Sequence, residues 1–245
     1  MELRLDLHIH SRRSPDGCMS MSEIVARAKE AGLNGVAVCD HDLVLTDPPE
    51  TADFLVIPGV EVSTEYGHLL GLFVTGPVDT RDFRQAAERI HQQGGLAVLA
   101  HPFQRHSDLA RLEPVLPLLD GVEVWNSRAD RKNPRANAMA GELARSCGLR
   151  PFGGSDAHLP QEIGNGVTVV EVEALTMEVV KAALLAGQAR TAGRRSRAWY
   201  TARSQLNKRR RTGAGWTAYL KWGAFALKCL AQDALPWPGS NWNEM

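Results

Sequence analysis

Cysteine is scarce in this chain, and the few present form no pattern. Cys18, Cys39, Cys147 and Cys229 stand far apart, with no C-x-x-C pair. That spacing excludes a thiolate zinc site and offers no disulfide framework, which fits a reducing cytoplasm. Long apolar runs are missing too. No stretch of about 18 apolar residues occurs, so no membrane-spanning helix is expected. A signal peptide is not expected either, because Asp6, His8 and His10 interrupt the first apolar segment. Net charge is zero, with 28 Lys and Arg against 28 Asp and Glu. The balance conceals a division: residues 1–178 hold 16 basic and 26 acidic side chains, whereas residues 179–245 hold 12 basic and two acidic. An acidic body suits a carboxylate-rich cation site, and the basic tail needs a separate explanation.

What is present in quantity is histidine at the ends of strand-like runs. Leu3 to His10 reads as a buried strand, in which residues i and i+2 point to one side. His8 and His10 therefore project together and can present two nitrogens to one metal ion. Two half-buried histidines without a metal are the bland alternative, and the rest of the chain argues against it. Gly35–Cys39 runs into Asp40-His41-Asp42, and Leu96–Ala100 runs into His101. Pro151–Gly154 runs into Ser155-Asp156-Ala157-His158, and Phe54–Val60 runs into Glu61, with His68 just beyond. Histidine and carboxylate without cysteine point to manganese, iron or zinc in a hydrolytic site.

Helical stretches separate these strands. Met19–Ala31 has apolar positions at helical spacing, with Ser20 or Ser22 as cap. A second helix is expected after a cap at Asp79 or Thr80, a third over Asn133–Ser146 and a fourth over Thr176–Ala186. Gly121–Trp125 and Val167–Val172 read as further strands. The alternation predicts an α/β fold, whose parallel strands gather their C-terminal ends, and hence these ligands, at one face.

The motifs Asp-Leu-His-Ile-His (6–10), Pro-Asp-Gly (15–17), Cys-Asp-His-Asp (39–42), Gly-Val-Glu-Val-Ser (59–63), Ala-His-Pro (100–102), Gly-Val-Glu-Val (121–124) and Gly-Ser-Asp-Ala-His (154–158) stand in an order that resembles the PHP (polymerase and histidinol phosphatase) phosphoesterases over residues 1–193. The resemblance implies a distorted seven-stranded (β/α) barrel and two to three divalent ions, manganese, zinc or iron. It implies His8, His10, Glu61 and Asp156 around one ion, Asp16, His41 and His158 around a second, and Glu61 bridging to a third completed by His68 and His101. Asp156, His158 and His41 are the candidate catalytic residues. Asp40 and Glu123 are candidates to orient liganding histidines, with turn capping the alternative for neighbouring Asp42. Arg12, Arg13 and Asn126 are candidates to bind substrate. His91 and His106 read as surface histidines.

Beyond Gly193 the character changes, and the chain is divided there into a PHP-type domain (1–193) and a basic, helical, Trp-rich extension (194–245). Residues 194–211 hold eight basic side chains and no acid, and Trp216–Leu235 has one apolar helical face, closed at Pro236-Trp-Pro-Gly. The tail can dock on the barrel, on a protein partner or at a membrane surface. The expected function is hydrolysis of a phosphate ester in a small metabolite or nucleotide by metal-activated water. The alternative is a nuclease or nucleic-acid-end processing phosphodiesterase that uses the basic tail.

Overall fold

The structure, a computed structural model, describes residues 1–106 and 108–235, together with the backbone of 243–244. The strands are β1 (Glu2–Ile9), β2 (Gly35–Val38), β3 (Leu55–Thr64), β4 (Gly67–Leu72), β5 (Leu96–Leu99), β6 (Gly121–Asn126), β7 (Arg150–Gly154), β8 (Gly166–Glu171) and β9 (Arg190–Gly193), with a two-residue strand, β10 (Asn243–Glu244), laid against β9. Their order is β10-β9-β8-β1-β2-β3-β4-β5-β6-β7. Strands β1 to β9 curl into a nearly closed barrel. At the closure Ile9 bridges Ala157, and the Thr168 hydroxyl of β8 donates to the Gly153 carbonyl of β7 at 3.0 Å while accepting from the Gly153 amide at 2.8 Å. Gly154 lets β7 pass against β1: a Cβ there would lie 2.4 Å from the Cβ of His8.

Helices α1 (Met21–Glu30), α2 (Phe83–Gln92), α3 (Ala136–Cys147) and α4 (Met177–Leu185) flank the barrel. Each lays an apolar stripe on it, such as Phe83, Ala86, Ala87 and Ile90 of α2, all buried. Ser20 caps α1 in a reciprocal capping box with Glu23. The cap of α2 is Asp82, not Asp79 or Thr80, since the Thr80 hydroxyl is occupied by the Asp82 amide. Helix α3 begins at Ala136 rather than Asn133 because Asn133 folds a turn, accepting from the Arg135 amide through its side chain and from the Ala136 amide through its carbonyl. The nine barrel strands exceed the seven that the resemblance implies. Strand β4 returns antiparallel from β3 in a tight hairpin, and β9 adds antiparallel to β8.

The basic stretch is itself helical. α5 (Ala198–Arg211) and α6 (Trp216–Ala234) form an antiparallel hairpin. Asp233 near the end of α6 caps the start of α5, accepting from the amides of Ala198 at 2.7 Å and Trp199 at 2.9 Å. The Trp222 indole donates to the Ala202 carbonyl at 2.8 Å. Lys208, Arg209, Arg210 and Arg211 crowd the last turn of α5, where the helix dipole favours positive charge. The Pro236-Trp-Pro-Gly stop, Trp237 and Trp242 lie outside the described residues. No described helix is long and apolar enough to cross a membrane.

Candidate metal centre

The ends of β1, β2, β5 and β7, with the β3–β4 hairpin, bring all nine expected ligands to one face of the barrel. Glu61 is the hub and is almost fully buried. Its Oε1 lies 2.6 Å from His68 Nδ1 and 3.0 Å from His101 Nε2. Its Oε2 lies 2.8 Å from His41 Nδ1 and 3.3 Å from His10 Nε2. Asp156 Oδ1 stands 3.3 Å from His10 Nε2 and 3.5 Å from His158 Nδ1. Asp16 Oδ1 stands 3.5 Å from His158 Nε2 and 3.6 Å from His41 Nε2. Among the described residues, four groups of three side chains hold ligand atoms within 4.8 Å of one another: His10, His41, His158; His8, His10, Asp156; His8, Glu61, His101; and His41, Glu61, His68.

Hydrogen bonds on the outer side of the rings fix which nitrogens face inward. His8 Nδ1–H donates to Glu123 Oε1 at 3.0 Å, which leaves the lone pair on Nε2. His10 Nδ1–H donates to the Ser14 hydroxyl oxygen at 3.1 Å, while that hydroxyl donates to Asp40 Oδ1 at 2.7 Å. His158 Nδ1–H donates to the Asp156 carbonyl at 2.9 Å. The result is two bare lone pairs, His8 Nε2 and His10 Nε2, facing each other across 3.1 Å. Asp16 Oδ1 and Glu61 Oε2 are buried and face imidazole nitrogens without a well-aligned hydrogen bond. Inward lone pairs beside unsatisfied carboxylate oxygens repel unless a cation lies between them. The donor set, imidazole and carboxylate with a supporting layer, fits divalent manganese, iron or zinc.

The electrostatics carry the same mark. Burial drives the Glu61 carboxyl up, but the His68, His41 and His8 rings outweigh it and hold it well below the ordinary range. Burial lowers His41, and the Glu61 and Asp16 carboxylates reverse this and raise it to about 9. Buried His10, with His158 and His41 as neighbours, is pushed well below its usual value. Two of the ligands hold a left-handed backbone, His101 at φ 29° and Asp156 at φ 54°, conformations that cost energy in residues with a Cβ and persist where surrounding contacts enforce them.

The remaining candidates are distributed unevenly. Glu123 grips His8 and also accepts from the His101 amide at 2.9 Å. Asp40 is buried and binds the amides and hydroxyls of Ser11 and Ser14, so it reaches His10 through Ser14 rather than touching the ring of neighbouring His41. Asp42 caps the end of β3 by accepting from the Ser63 amide and hydroxyl. Asn126 is fully buried and donates to Glu123 at 3.0 Å, so it supports that carboxylate instead of facing the cleft. Arg12 and Arg13 are not brought to the centre. The loop after Ser11 folds inward over Asp40, so both side chains turn outward, and Arg13 donates to the Val44 carbonyl at 3.1 Å. His91 is a surface histidine paired with Asp120, and His106 is exposed.

Above the ligands opens a cleft of about 580 Å³, with Arg105, Arg128, Arg131, Lys132, Lys208 and Arg209 in its walls. Sequence reasoning missed Arg128, which is buried and doubly bonded to Glu162. It also missed Asp6, whose carboxylate accepts from the amides of Ser155 at 2.8 Å, Gly164 at 2.9 Å and His8 at 3.4 Å and so ties β1 to the Asp156 loop. Asp6 stands inside the Asp-Leu-His-Ile-His motif, which was the available signal. Arg128 had none, since a lone arginine after a strand is ordinary.

Barrel, ligand set and cationic cleft together define a metal-dependent phosphoesterase. Comparison with known proteins agrees. The PHP domain model matches residues 6–158, and the PHP-associated model matches residues 134–189. The chain belongs to the PHP family. An uncharacterised protein of Methanocaldococcus jannaschii is 32% identical over 176 residues, covering 66% of this chain and 68% of its own. A 5'-3' exoribonuclease of Haemophilus influenzae is 41% identical over 81 residues, 29% of each chain. A crystal structure of a two-domain protein from Bacteroides vulgatus, containing a predicted PHP-like metal-dependent phosphoesterase, aligns with a TM-score of 0.62 at 20% identity, over 78% of this chain and 64% of that one.

Proposed function

We propose that this enzyme hydrolyses a phosphate ester of a small metabolite or nucleotide, with two to three divalent ions bound by His8, His10, Asp16, His41, Glu61, His68, His101, Asp156 and His158. The observation that carries the reading is the nine-ligand cluster on the floor of a cleft walled by cations. Bound ions supply activation of water and compensation of phosphoryl charge. The chain's own groups do the rest. Arg105, Arg131 and Lys132 draw the anionic substrate in. Arg128, held by Glu162, lines the cleft and adds positive charge to its floor. His41, His158 and Asp156 border the cleft and would hold the ions against the phosphoryl group, with the His158 ring oriented by its Nδ1–H on the Asp156 carbonyl at 2.9 Å. The four free cysteines suit a reducing compartment such as the cytoplasm.

The second reading, nucleic-acid-end processing, is favoured by Lys208 and Arg209 of the basic helix in the cleft wall and by the exoribonuclease relative. The discriminating experiment is a hydrolysis screen over sugar phosphates, nucleotides and short oligonucleotides after metal depletion and reloading with manganese. Small esters should be turned over at rates that change little between low and physiological salt. Oligonucleotide cleavage that collapses with salt, log affinity falling by about 0.7 per single-strand phosphate contacted, would favour the second reading instead.

A further inference from the structure

The α5–α6 hairpin lies beyond residue 189, where the second of the two family models ends. It nevertheless touches the centre at two places, and both lead to the same ligands. One is the loop that carries Asp16. Arg211, on the last turn of α5, donates through one Nη to the Ser14 carbonyl at 2.6 Å and the Gly17 carbonyl at 3.2 Å, bracketing Asp16 from either side in sequence. One helical turn earlier, Lys208 Nζ stands 3.7 Å from Asp16 Oδ2. The loop packs closely on itself at Gly17, where a Cβ would meet the Ser11 carbonyl oxygen at 2.0 Å. Arg211 ties this loop to α5 through two of its carbonyls.

The other place is the backbone of His158. Ser204 of α5 is fully buried and gives its proton to the Thr201 carbonyl, so its oxygen accepts from Arg128 Nη1 at 3.3 Å. Arg128 holds Glu162 with both ends of its fork, and Glu162 accepts from the His158 amide at 3.2 Å. Ser204, Arg128, Glu162 and His158 form one buried chain of charge-assisted bonds. Asp16 and His158 meet at the shared point where Asp16 Oδ1 faces His158 Nε2 and His41 Nε2. The other ligands are held chiefly from within the barrel: His8 and His101 by Glu123, His10 by the Ser14 hydroxyl on Asp40, whereas Arg211 meets the Ser14 carbonyl, and Glu61 and His68 by the β3–β4 hairpin.

We propose that α5 is the outer support of one metal position, the one formed by Asp16, His41 and His158, and that Arg211 and Ser204 are its positioning residues. The proposal rests on the metal-centre reading above and adds that this position leans most directly on a segment outside the family models. Neither residue touches the reacting atoms. They act by keeping a carboxylate and an imidazole at the separation an ion requires, and second-layer losses of this kind weaken metal binding by about 10- to 100-fold.

The test uses the full-length protein, stripped with a chelator and titrated with manganese by calorimetry, with elemental analysis of the washed product. Arg211→Met should lose one ion per chain, or weaken one binding event at least about tenfold, and leave the other events at wild-type affinity. Arg211→Lys should recover part of the loss, because an ammonium can reach one of the two carbonyls. Arg210→Met, an exposed charge next in sequence, should bind manganese as the wild type does. If Arg211→Met folds poorly, the Ser204→Ala variant should show the same selective loss. Unchanged stoichiometry and affinities in the folded variant would overturn the proposal. So would simultaneous loss of every ion, which would mean that α5 supports the whole fold and no particular position. A wild-type protein that binds no ion would refute the metal-centre reading itself, a different outcome from either.

Discussion

Glu123→Gln is the most revealing single substitution, because it preserves shape and changes only what the carboxylate can accept. Three donors converge on Glu123: His8 Nδ1–H at 3.0 Å, the His101 amide at 2.9 Å and Asn126 Nδ2 at 3.0 Å. A carboxylate has two accepting oxygens, and the amide has one. If the amide oxygen stays on the His101 N–H, the new NH₂ faces His8 Nδ1 and donates to it. The imidazole proton then moves to Nε2, and the inward lone pair is lost. Replacing charge-assisted bonds by neutral ones, with one donor crowded, should cost about 2–4 kcal/mol of metal-free stability. Metal affinity should fall by about 10- to 100-fold. At saturating metal a 100-fold weaker site removes about 2.7 kcal/mol of ligand-linked stabilisation. Calorimetric melts of stripped and manganese-loaded protein should therefore show a smaller metal-induced rise in Tm for the variant. A folded Glu123→Gln protein with the wild-type rise and wild-type affinity would refute the tautomer argument.

His41 sets a pH dependence: burial lowers it, but Glu61 and Asp16 raise it to about 9, so below that pH a proton must leave before a metal binds. Apparent manganese affinity should rise about tenfold per pH unit for each proton displaced and level off above pH 9, as potentiometric titration would show; a flat profile would contradict it. In the metal-free protein the same group adds stability that is full below about pH 6.5, its unfolded value, and lost as pH rises through about 9. Asp6→Ala would strand the Ser155, Gly164 and His8 amides in the interior and should cost about 2–5 kcal/mol in urea unfolding, with metal content falling as the Asp156 loop loosens. Gly154→Ala would press a methyl to 2.4 Å from the His8 Cβ and should lower both Tm and metal content, an overpacking cost of at least about 1–3 kcal/mol.

Most of the candidate ligands were legible in the sequence because they follow short local rules, while Asp16 was implied only by the family resemblance. His8 and His10 follow the two-residue period of β1, and His41, His101 and Asp156 follow directly on apolar runs. The same rules exposed the helices on the barrel, apart from one cap and one start set by side-chain turns at Asp82 and Asn133. What stayed hidden depends on contacts distant in sequence. Strand β4 was not assigned from the sequence because Gly67 to Leu72 gains its identity only by pairing with β3 and β5. Arg12 and Arg13 looked ready to grip phosphate by adjacency to His10, yet the inward fold of Ser11 and Ser14 onto Asp40 turns them away. Conversely, Lys208 and Arg209 enter the cleft wall from a segment whose sequence showed only a run of charge. Asn126 was legible as important but not as a support for Glu123, a role set by a side-chain bond within β6.

The central claim is that the nine-residue cluster holds divalent metal and that hydrolysis depends on it. The direct measurement is phosphate release from a phosphomonoester as metal-depleted protein is titrated with manganese. Turnover should be absent in the stripped protein, rise with added metal and reach a plateau near two to three equivalents per chain. Turnover by the fully stripped protein, or saturation with metal at the cluster without hydrolysis of any phosphate ester, would contradict the account.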